Sequence, residues 1–231
     1  MEVSITKGLE WTFNTEAEKY EKMRPGYVSE LYEDIFKYIP INESSNVIEI
    51  GIGGGQATLP ILKTGCKLTA VECGENLAEL CRQKFKEFPK FSAVTAKFED
   101  FVCDNNLCDL IYSATAFHWI PEEIHEALQK IYSVYMPDSH SPNEYSEDDA
   151  KKRADIAQKY GFVDISYKLY HRTRSFSVKE YISLLGTYSD HIAIEQNTRK
   201  KLFSEIEKAI DNLGGQITIY DTIDLQLARK P

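Results

Sequence analysis

The sequence lacks a long hydrophobic run and a secretion signal. No stretch of its 231 residues approaches the roughly 18 consecutive apolar residues that a membrane-spanning helix needs. The first residues, MEVSITKGLEWTF, have neither the basic start nor the apolar segment of a signal peptide. We therefore expect a cytoplasmic protein, a monomer or homodimer, with no membrane partner.

Positive charge is also scarce. The chain has 27 Lys and Arg against 36 Asp and Glu, which gives a formal net charge of -9. Because nucleic acids bind to basic surfaces, we expect no nucleic-acid partner. The only local basic stretches are TRKK at residues 198–201 and HRTR at residues 171–174. We interpret both as solvent-exposed surface of a helix and a strand.

The five cysteines show no C-x-x-C spacing. An odd number of cysteines without a signal peptide indicates reduced thiols rather than disulfides. No neighbouring pair completes a zinc site, so we expect no metal and simple burial of the thiols. The cysteines are Cys66, Cys73, Cys81, Cys103 and Cys108.

Short apolar segments alternate with amphipathic segments in the first 135 residues. This alternation is typical of βαβ units, whose right-handed crossovers build a parallel sheet covered on both faces. We predict strands at 46–50, 66–72, 91–96 and 108–114, and helices at about 56–63, 75–88 and 121–135. Farther along, we predict an acidic loop at 143–149, a helix, a strand near 162–176, helices near 178–186 and 196–213, and a closing strand at 216–228.

Four glycines follow the first predicted strand, within VIEIGIGGGQATLPIL at residues 47–62. Glycines at this edge of a parallel sheet let a ligand approach the backbone closely, because they carry no Cβ and accept positive φ. A dinucleotide site requires G-x-G-x-x-G, but Gln56 occupies the position of the third glycine. The pattern is instead E-x-G-x-G-G-G, formed by Glu49 with Gly51, Gly53, Gly54 and Gly55.

Two acids end the first two predicted strands. Glu49 lies among Val47, Ile48 and Ile50, so we expect it to be buried, where a carboxylate suits a cationic ligand better than a pyrophosphate. Glu72 ends the second strand, where an acid can bind the two hydroxyls of a ribose. The alternatives are a solvated acid at Glu49 and a helix-capping acid at Glu72.

Four motifs in order resemble those of class I S-adenosylmethionine (SAM)-dependent methyltransferases. They are E-x-G-x-G-G-G, Glu72, AKFEDF at 96–101 and CDLIYSATAFHWI at 108–120. The segment FNTEAEKYEKMRPGY at 13–27 resembles the small-molecule subgroup that includes trans-aconitate methyltransferase. The resemblance implies a Rossmann-like sheet with an antiparallel last strand, a helical cap at 1–40, and a SAM-binding domain at 41–231 with acceptor-site helices around 177–213.

The resemblance also implies roles for individual residues. Glu49 and the backbone from Gly51 to Gly53 would hold the methionine end of SAM, and Glu72 its ribose. Phe98 and Glu99 would lie beside the adenine. Ser113 would contact the methionine portion of SAM. Residues of the cap would fold over the cofactor, and for the two tyrosines among them the alternative is packing within the helices. These cap residues are Tyr20, Arg24 and Tyr27.

The methyl acceptor is less clear from the sequence. An ionised acceptor such as a carboxylate needs no base, whereas a hydroxyl needs one, for which His118 is the candidate. The resemblance places Trp119 and Tyr188 near the acceptor, whereas nothing favours His171 or His191. An acidic acceptor would need a cation, which Arg24, Arg172 or Arg174 could provide.

One expected element is missing from the sequence. Members of the family have a fifth central strand after the helix at 121–135, but MPDSHSPNEYSEDD at 136–149 cannot form a buried strand. Either a segment is absent or the neighbouring strands close the gap, because an interior gap leaves backbone groups unpaired. We keep two alternatives to methyl transfer: a non-catalytic SAM-binding protein and, on the same sheet, a nicotinamide-dependent oxidoreductase.

Overall fold

The protein is described from a computed structural model, covering residues 21–102, 108–114, 117–119, 122–137 and 145–231. Of residues 117–119 and 122–125 only the backbone is described. The chain divides into two compact units, which we describe separately. Their described parts are 21–27, 39–102, 108–114 and 183–195 in the first unit, and 28–38, 117–119, 122–137, 145–182 and 196–231 in the second.

A four-stranded parallel sheet forms the centre of the first unit. Its order is β3-β2-β1-β4, and all of its strand pairs are parallel, so the predicted parallel sheet is confirmed. The strands are β1 (Asn46–Ile50), β2 (Lys67–Glu72), β3 (Phe91–Thr95) and β4 (Leu110–Ser113). Because the strands are parallel, their carboxyl ends share one edge of the sheet, where open α/β folds bind ligands.

Helices cover this sheet and complete its core. Two of them are α2 (Thr58–Leu62) and α3 (Glu75–Lys84), which follow β1 and β2, while α1 (Ser29–Tyr38) belongs to the second unit. Leu77, Ala78 and Cys81 recur at helical spacing on α3 and are buried. Phe85, just beyond α3, is 2% exposed. A short 3₁₀ turn at Phe98–Asp100 follows β3 at the ligand-binding edge.

The second unit is built on a three-stranded antiparallel sheet of order β5-β7-β6. Its strands are β5 (Phe117–Trp119), β6 (Val163–Ser177) and β7 (Gln216–Arg229), and its helices include α4 (Glu122–Tyr135), α5 (Glu147–Lys159) and α8 (Gln196–Asn212). Helices α6 (Val178–Leu185) and α7 (Ser189–Ala193) lie between β6 and α8 in sequence. On α8, Leu202, Ile206 and Ile210 are fully buried, which indicates one apolar helix face.

The bounds of two predicted elements need correction. The stretch at 143–149 is not wholly a loop, because Glu147 already begins α5. A reciprocal capping box between Ser146 and Asp149 starts that helix, and the three acids suit its first turn. In addition, the predicted helix over 75–88 ends earlier, at Lys84.

Strand β5 is not predicted from the sequence. Its three residues are too few to show an alternating pattern, yet they pair antiparallel with Thr222, Asp221 and Tyr220 of β7. Met136 and Pro137, which follow α4, form no strand, and residues 138–144 lie outside the described part. The last strand, β7, is antiparallel, as predicted, and its partners are β5 and β6.

Among the residues that the structure describes, no helix has both the length and the apolar composition needed to cross a membrane. The cytoplasmic location stays a prediction.

Candidate functional site

The turn after β1 has the backbone geometry that close approach of a ligand requires. Gly51 and Gly53 adopt φ of 68° and 55°, in the left-handed region that favours glycine. A Cβ built on Gly51 would meet no atom within 4 Å. The structure therefore has open space against the backbone of Gly51, at the carboxyl end of the sheet.

The next two glycines serve a different purpose, which corrects the interpretation of all four as ligand-facing. A Cβ on Gly55 would lie 2.5 Å from the Phe85 ring. A Cβ on Gly54 would lie 2.8 Å from the Cα of Glu21. Both contacts are shorter than van der Waals distances, so these positions need glycine because other parts of the protein pack against them.

Glu49, the penultimate residue of β1, is a buried carboxylate, 2% exposed. Its Oε2 accepts hydrogen bonds from the Thr58 hydroxyl at 2.7 Å and the Tyr112 hydroxyl at 2.8 Å. Burial raises the pKa of Glu49 to about 7, and the nearby Glu72 charge acts in the same direction, although the two hydroxyls oppose it. A positively charged ligand would favour the ionised form of this group.

Glu72 lies at the end of β2 and is 6% exposed. Its Oε2 accepts a hydrogen bond from the Gly53 N–H at 3.0 Å, and its Oε1 accepts one from the Gly74 N–H at 2.9 Å. The carboxylate therefore links the two loops that follow β1 and β2. Oε1 also accepts from the Cys73 thiol at 3.6 Å, whereas Oε2 keeps a second lone pair that can accept a hydrogen bond from a ligand hydroxyl.

A buried side-chain amide lies beside the same turn. The Nε2 atom of Gln56 is buried and forms no hydrogen bond with the described residues. Such a donor carries a cost of about 1–3 kcal/mol unless an acceptor is supplied. In the sequence, Gln56 stands out only as the residue at the position of the third glycine of G-x-G-x-x-G. A polar residue inside a glycine turn was the signal that could have identified it.

The other predicted cofactor residues lie after β3 and β4. Phe98 and Glu99 belong to the 3₁₀ turn, and the Phe98 ring is 47% exposed. Ser113 is the last residue of β4 and pairs with Ile50 in the sheet. All three lie at the carboxyl edge of the sheet, and an exposed phenylalanine there is suited to stack against a flat ligand. Their roles toward the cofactor stay predictions.

Residues 21–27 lie across the glycine turn. The Lys84 ammonium donates to Glu21 Oε1 at 2.7 Å and to the Gly54 carbonyl at 2.8 Å. Gly26 also lies close to the turn, since its added Cβ would be 3.4 Å from the Gln56 carbonyl. We call residues 21–27 the strap. Lys84 was not predicted as a site residue, because its role depends on a contact across 63 positions of sequence.

Arg24 of the strap contacts residues 186–191, whose sequence is GTYSDH. Its Nε donates to the Thr187 hydroxyl at 3.2 Å, and its guanidinium lies 4.3 Å from the centroid of the Tyr188 ring. Beyond Tyr188, the buried His191 contacts Asp190 through Nδ1 at 2.7 Å. The structure thus brings together Arg24 and Tyr188, which were predicted separately, and adds Thr187, Asp190 and His191.

The remaining predicted site residues are less fully described. Tyr27 is half-buried at the end of the strap, whereas Tyr20 lies outside the described residues. His118 and Trp119 lie in β5, and their side chains are also outside that part. His171 lies on β6 in the second unit, opposite Thr222 of β7.

The interpretation of HRTR as solvated strand surface is wrong for its two arginines. The side chains of Arg172 and Arg174 are only 22% and 16% exposed. Both bind the carboxylate of Asp221 on β7, a buried residue that the sequence analysis did not single out. The arginines point to the interior because they share a face of β6 with Tyr170 and Phe176.

Comparison with known proteins agrees with this geometry. The sequence model of a family described as "Methyltransferase domain" matches residues 47–138, which include the glycine turn and both acids. Residues 47–138 are therefore similar in sequence to a methyltransferase domain. An uncharacterised methyltransferase of Schizosaccharomyces pombe is 22% identical over 226 residues, covering 87% of this chain and 88% of that protein.

Two further similarities concern the fold and a shorter stretch of sequence. A structure from Anaeromyxobacter dehalogenans, named as a type II methyltransferase, has a TM-score of 0.62 at 16% identity, covering 90% of this chain and 97% of that one, which shows a shared fold. A ribosomal RNA small subunit methyltransferase A of Thermotoga petrophila is 35% identical over 68 residues, 29% of this chain and 25% of that protein.

Together, the findings support a class I SAM-dependent methyltransferase with SAM as cofactor. The narrower resemblance to the trans-aconitate subgroup stays a prediction.

Proposed function

We propose that this protein transfers a methyl group from SAM to a small-molecule acceptor, such as a carboxylate or hydroxyl compound. The observation that carries the proposal is a pair of buried carboxylates, Glu49 and Glu72, near the carboxyl ends of β1 and β2, together with open space at Gly51. The orphaned Nε2 of Gln56 beside the same turn adds a donor that a ligand would satisfy.

These residues fit SAM better than a dinucleotide. SAM carries positive charge on its sulfonium and ammonium groups, whereas the pyrophosphate of NAD carries negative charge. Two buried acids attract the first and repel the second. In our assignment, Glu49 and the backbone of Gly51 and Gly53 hold the methionine end, Glu72 accepts from the ribose hydroxyls, and Phe98 lies against the adenine.

Methyl transfer from SAM requires little of the chain beyond the alignment of the acceptor with the methyl group. When bound, SAM supplies a methyl group already activated by its positive sulfur. The protein has to hold the acceptor in line with that methyl group and exclude water. The strap suits the second task because Lys84 and Arg24 fix it across the glycine turn and against Thr187. If the acceptor is a hydroxyl, His118 stays the predicted base.

A small acceptor is favoured over RNA by charge. The chain carries a net charge of -9, and the arginines of its HRTR segment are partly buried in ion pairs. RNA binding requires an accessible basic surface. The relatives include ribosomal RNA methyltransferases, one of which matches 83% of this chain at 24% identity, so the preference for a small acceptor rests on charge.

Calorimetry and mass spectrometry test the proposal in sequence. We expect the full chain to bind SAM and S-adenosylhomocysteine but not NAD; binding of NAD alone would reject the assignment. A metabolite extract incubated with the protein and isotope-labelled SAM should then yield a labelled small molecule. The Glu72→Ala variant is the negative control. SAM binding with no labelled product would instead indicate a non-catalytic SAM-binding protein.

A further inference from the structure

The second unit contains a cavity of about 390 Å³ between α5 and the beginning of β6. Its volume falls within the range of about 300–1,000 Å³ that is typical of small-molecule sites. Every residue that lines it belongs to the second unit, whereas the residues assigned to SAM belong to the first. The cavity is therefore a candidate for a second ligand, built within one part of the chain.

One face of α5 forms the polar wall of this cavity. Lys151, Asp155 and Gln158 line it and follow one another at intervals of four and three residues, which places them on the same side of the helix. Ala154 lies on this face too and is buried, and its small side chain leaves room above it. An ammonium, a carboxylate and an amide thus line one small volume.

The two charges of this wall are not used within the described part of the chain. There, neither the Lys151 ammonium nor the Asp155 carboxylate forms a hydrogen bond or an ion pair, whereas the adjacent Lys152 pairs with Asp149 at 3.1 Å. A lysine four residues before an acid is the weaker order for a pair on a helix. Both charged groups are therefore available to a ligand.

The turn after α5 and the first residues of β6 add an apolar wall. Phe162 and Val163 line the cavity and are 42% and 46% exposed, and Tyr167 lines it from within β6. Neighbouring exposed apolar side chains of this kind mark interaction sites, because covering them removes apolar surface from water. The apolar part of a ligand would cover them.

A β-bulge shapes this wall. Val163 pairs with Arg229 and Ser166 with Leu227, so two residues of β6 lie opposite one of β7. The first of the two, Asp164, adopts a φ of 51°, and its carboxylate contacts Arg229 at 3.4 Å. The Asp164 charge is thus already paired. Bulges are common beside binding sites because they redirect side chains.

We propose that this cavity binds a free amino acid with an apolar side chain. Lys151 binds its carboxylate and Asp155 its ammonium group, while Phe162 and Val163 cover the side chain. The charges determine the class of ligand, because Asp155 repels a phosphate compound and Lys151 repels a simple cation, whereas a zwitterion suits both. Binding here does not depend on the proposed function, since none of these residues is assigned to SAM.

Fluorine NMR with 4-fluorophenylalanine and the full chain tests the proposal. Its amide lacks the carboxylate, and its N-acetyl derivative lacks the ammonium group. We expect the zwitterion to show line broadening on binding and each derivative to bind about two- to fivefold more weakly, because each loses one exposed ion pair. Unlabelled leucine should displace the probe, whereas glycine, which has no apolar side chain, should not.

Two double variants locate the site. Lys151→Gln with Asp155→Asn should abolish the preference for the zwitterion. The control is Lys159→Gln with Asp148→Asn, two exposed residues of α5 that do not line the cavity, and it should keep the preference. Both double variants retain the net charge of the wild type, because each loses one positive and one negative group. Thermal melting of each variant checks folding.

Each outcome supports or overturns the proposal. Equal binding of the three probes to the wild type, or no binding, overturns it without any variant. A preference that survives in the folded Lys151→Gln, Asp155→Asn protein also overturns it, as does displacement of the probe by S-adenosylhomocysteine, which would place the probe in the cofactor site. Calorimetry with SAM on the same samples tests the proposed function separately, since a failure to bind SAM leaves the amino-acid result unchanged.

Discussion

The guanidinium of Arg24 lies 4.3 Å from the centroid of the Tyr188 ring, although the two residues are far apart in sequence. The Nε and Nη2 atoms of the same guanidinium donate to the hydroxyl and carbonyl of Thr187. The contact fixes the strap to the segment 183–195 inside the first unit. Arg24 therefore has a structural role, in addition to the predicted pairing with the cofactor.

A double-mutant cycle measures this contact. We expect Arg24→Ala and Tyr188→Leu to be coupled by about 1 kcal/mol in the free energy of unfolding, because a partly buried cation–π contact contributes about 0.5–2 kcal/mol. Urea denaturation gives the values. Arg82→Ala is the matched control, since Arg82 contacts Glu79, Ala93 and Thr95 instead. Additive effects of Arg24→Ala and Tyr188→Leu would show that the stacking is energetically negligible.

Replacing Glu72 should weaken SAM binding strongly. Glu72→Ala removes charge-assisted acceptors and leaves the Gly53 and Gly74 N–H groups without their partner, so we expect a loss of about 1–3 kcal/mol in binding free energy. Isothermal titration calorimetry measures the loss. Glu79→Ala, at an exposed acid of α3, should leave the affinity unchanged. Unchanged affinity in Glu72→Ala would assign Glu72 to loop structure alone.

The raised pKa of Glu49 predicts a pH dependence of stability. The unfolded chain loses this proton near pH 4.5, whereas the folded protein keeps it to about pH 7. The folded state thus binds more protons in this window, and the contribution of Glu49 to the free energy of unfolding falls as pH rises from 4.5 to 7. At 1.36 kcal/mol per pH unit, the total fall is about 3 kcal/mol.

Comparison with Glu49→Gln isolates this contribution from other titrating groups. The free energy of unfolding, measured in urea from pH 4 to 8, should fall relative to the variant as pH rises. SAM affinity of the wild type should increase over the same range, because a cationic ligand prefers the ionised carboxylate. A constant difference between the two proteins across this range contradicts the assignment.

Gly51 should be needed for cofactor binding more than for folding. Gly51→Ala costs about 1 kcal/mol of stability, because alanine is strained at a φ of 68°. Its methyl group would extend into the open space, so we expect a loss of SAM affinity of at least tenfold by calorimetry. Gly161→Ala is the control, since Gly161 also has positive φ with no atom near an added Cβ. Equal affinities of the two variants would reject the close approach of SAM.

The ligand-binding edge was largely predictable because its signals are local. The E-x-G-x-G-G-G pattern, Glu72 and Phe98 each follow an apolar strand, and parallel strands bring their carboxyl ends to one edge. Local signals did not distinguish the glycines that face open space from those that pack against other parts of the protein. Gly51 faces open space and Gly55 faces Phe85, and that difference depends on a residue thirty positions away.

Polar partners across long distances were not predictable in the same way. Thr187 and Lys84 carry no motif, and their contacts with the strap arise only when the first unit is folded. Asp221 left a weak signal, an acid within the alternating apolar residues of QITIYDTIDLQ. Nothing in that alternation identified Arg172 and Arg174 as its partners, because the register of β6 against β7 depends on the whole hairpin.

The sequence by itself determined the parallel strands of the first unit, the glycine turn and the acids at its edge. The periodicity of apolar residues and the conformational freedom of glycine are local properties that depend on neighbouring residues. Only the tertiary structure decided which glycines face a ligand, that β5 joins the antiparallel sheet, and that two arginines share one buried carboxylate. Those features depend on strand register and on packing between distant segments, which no local pattern encodes.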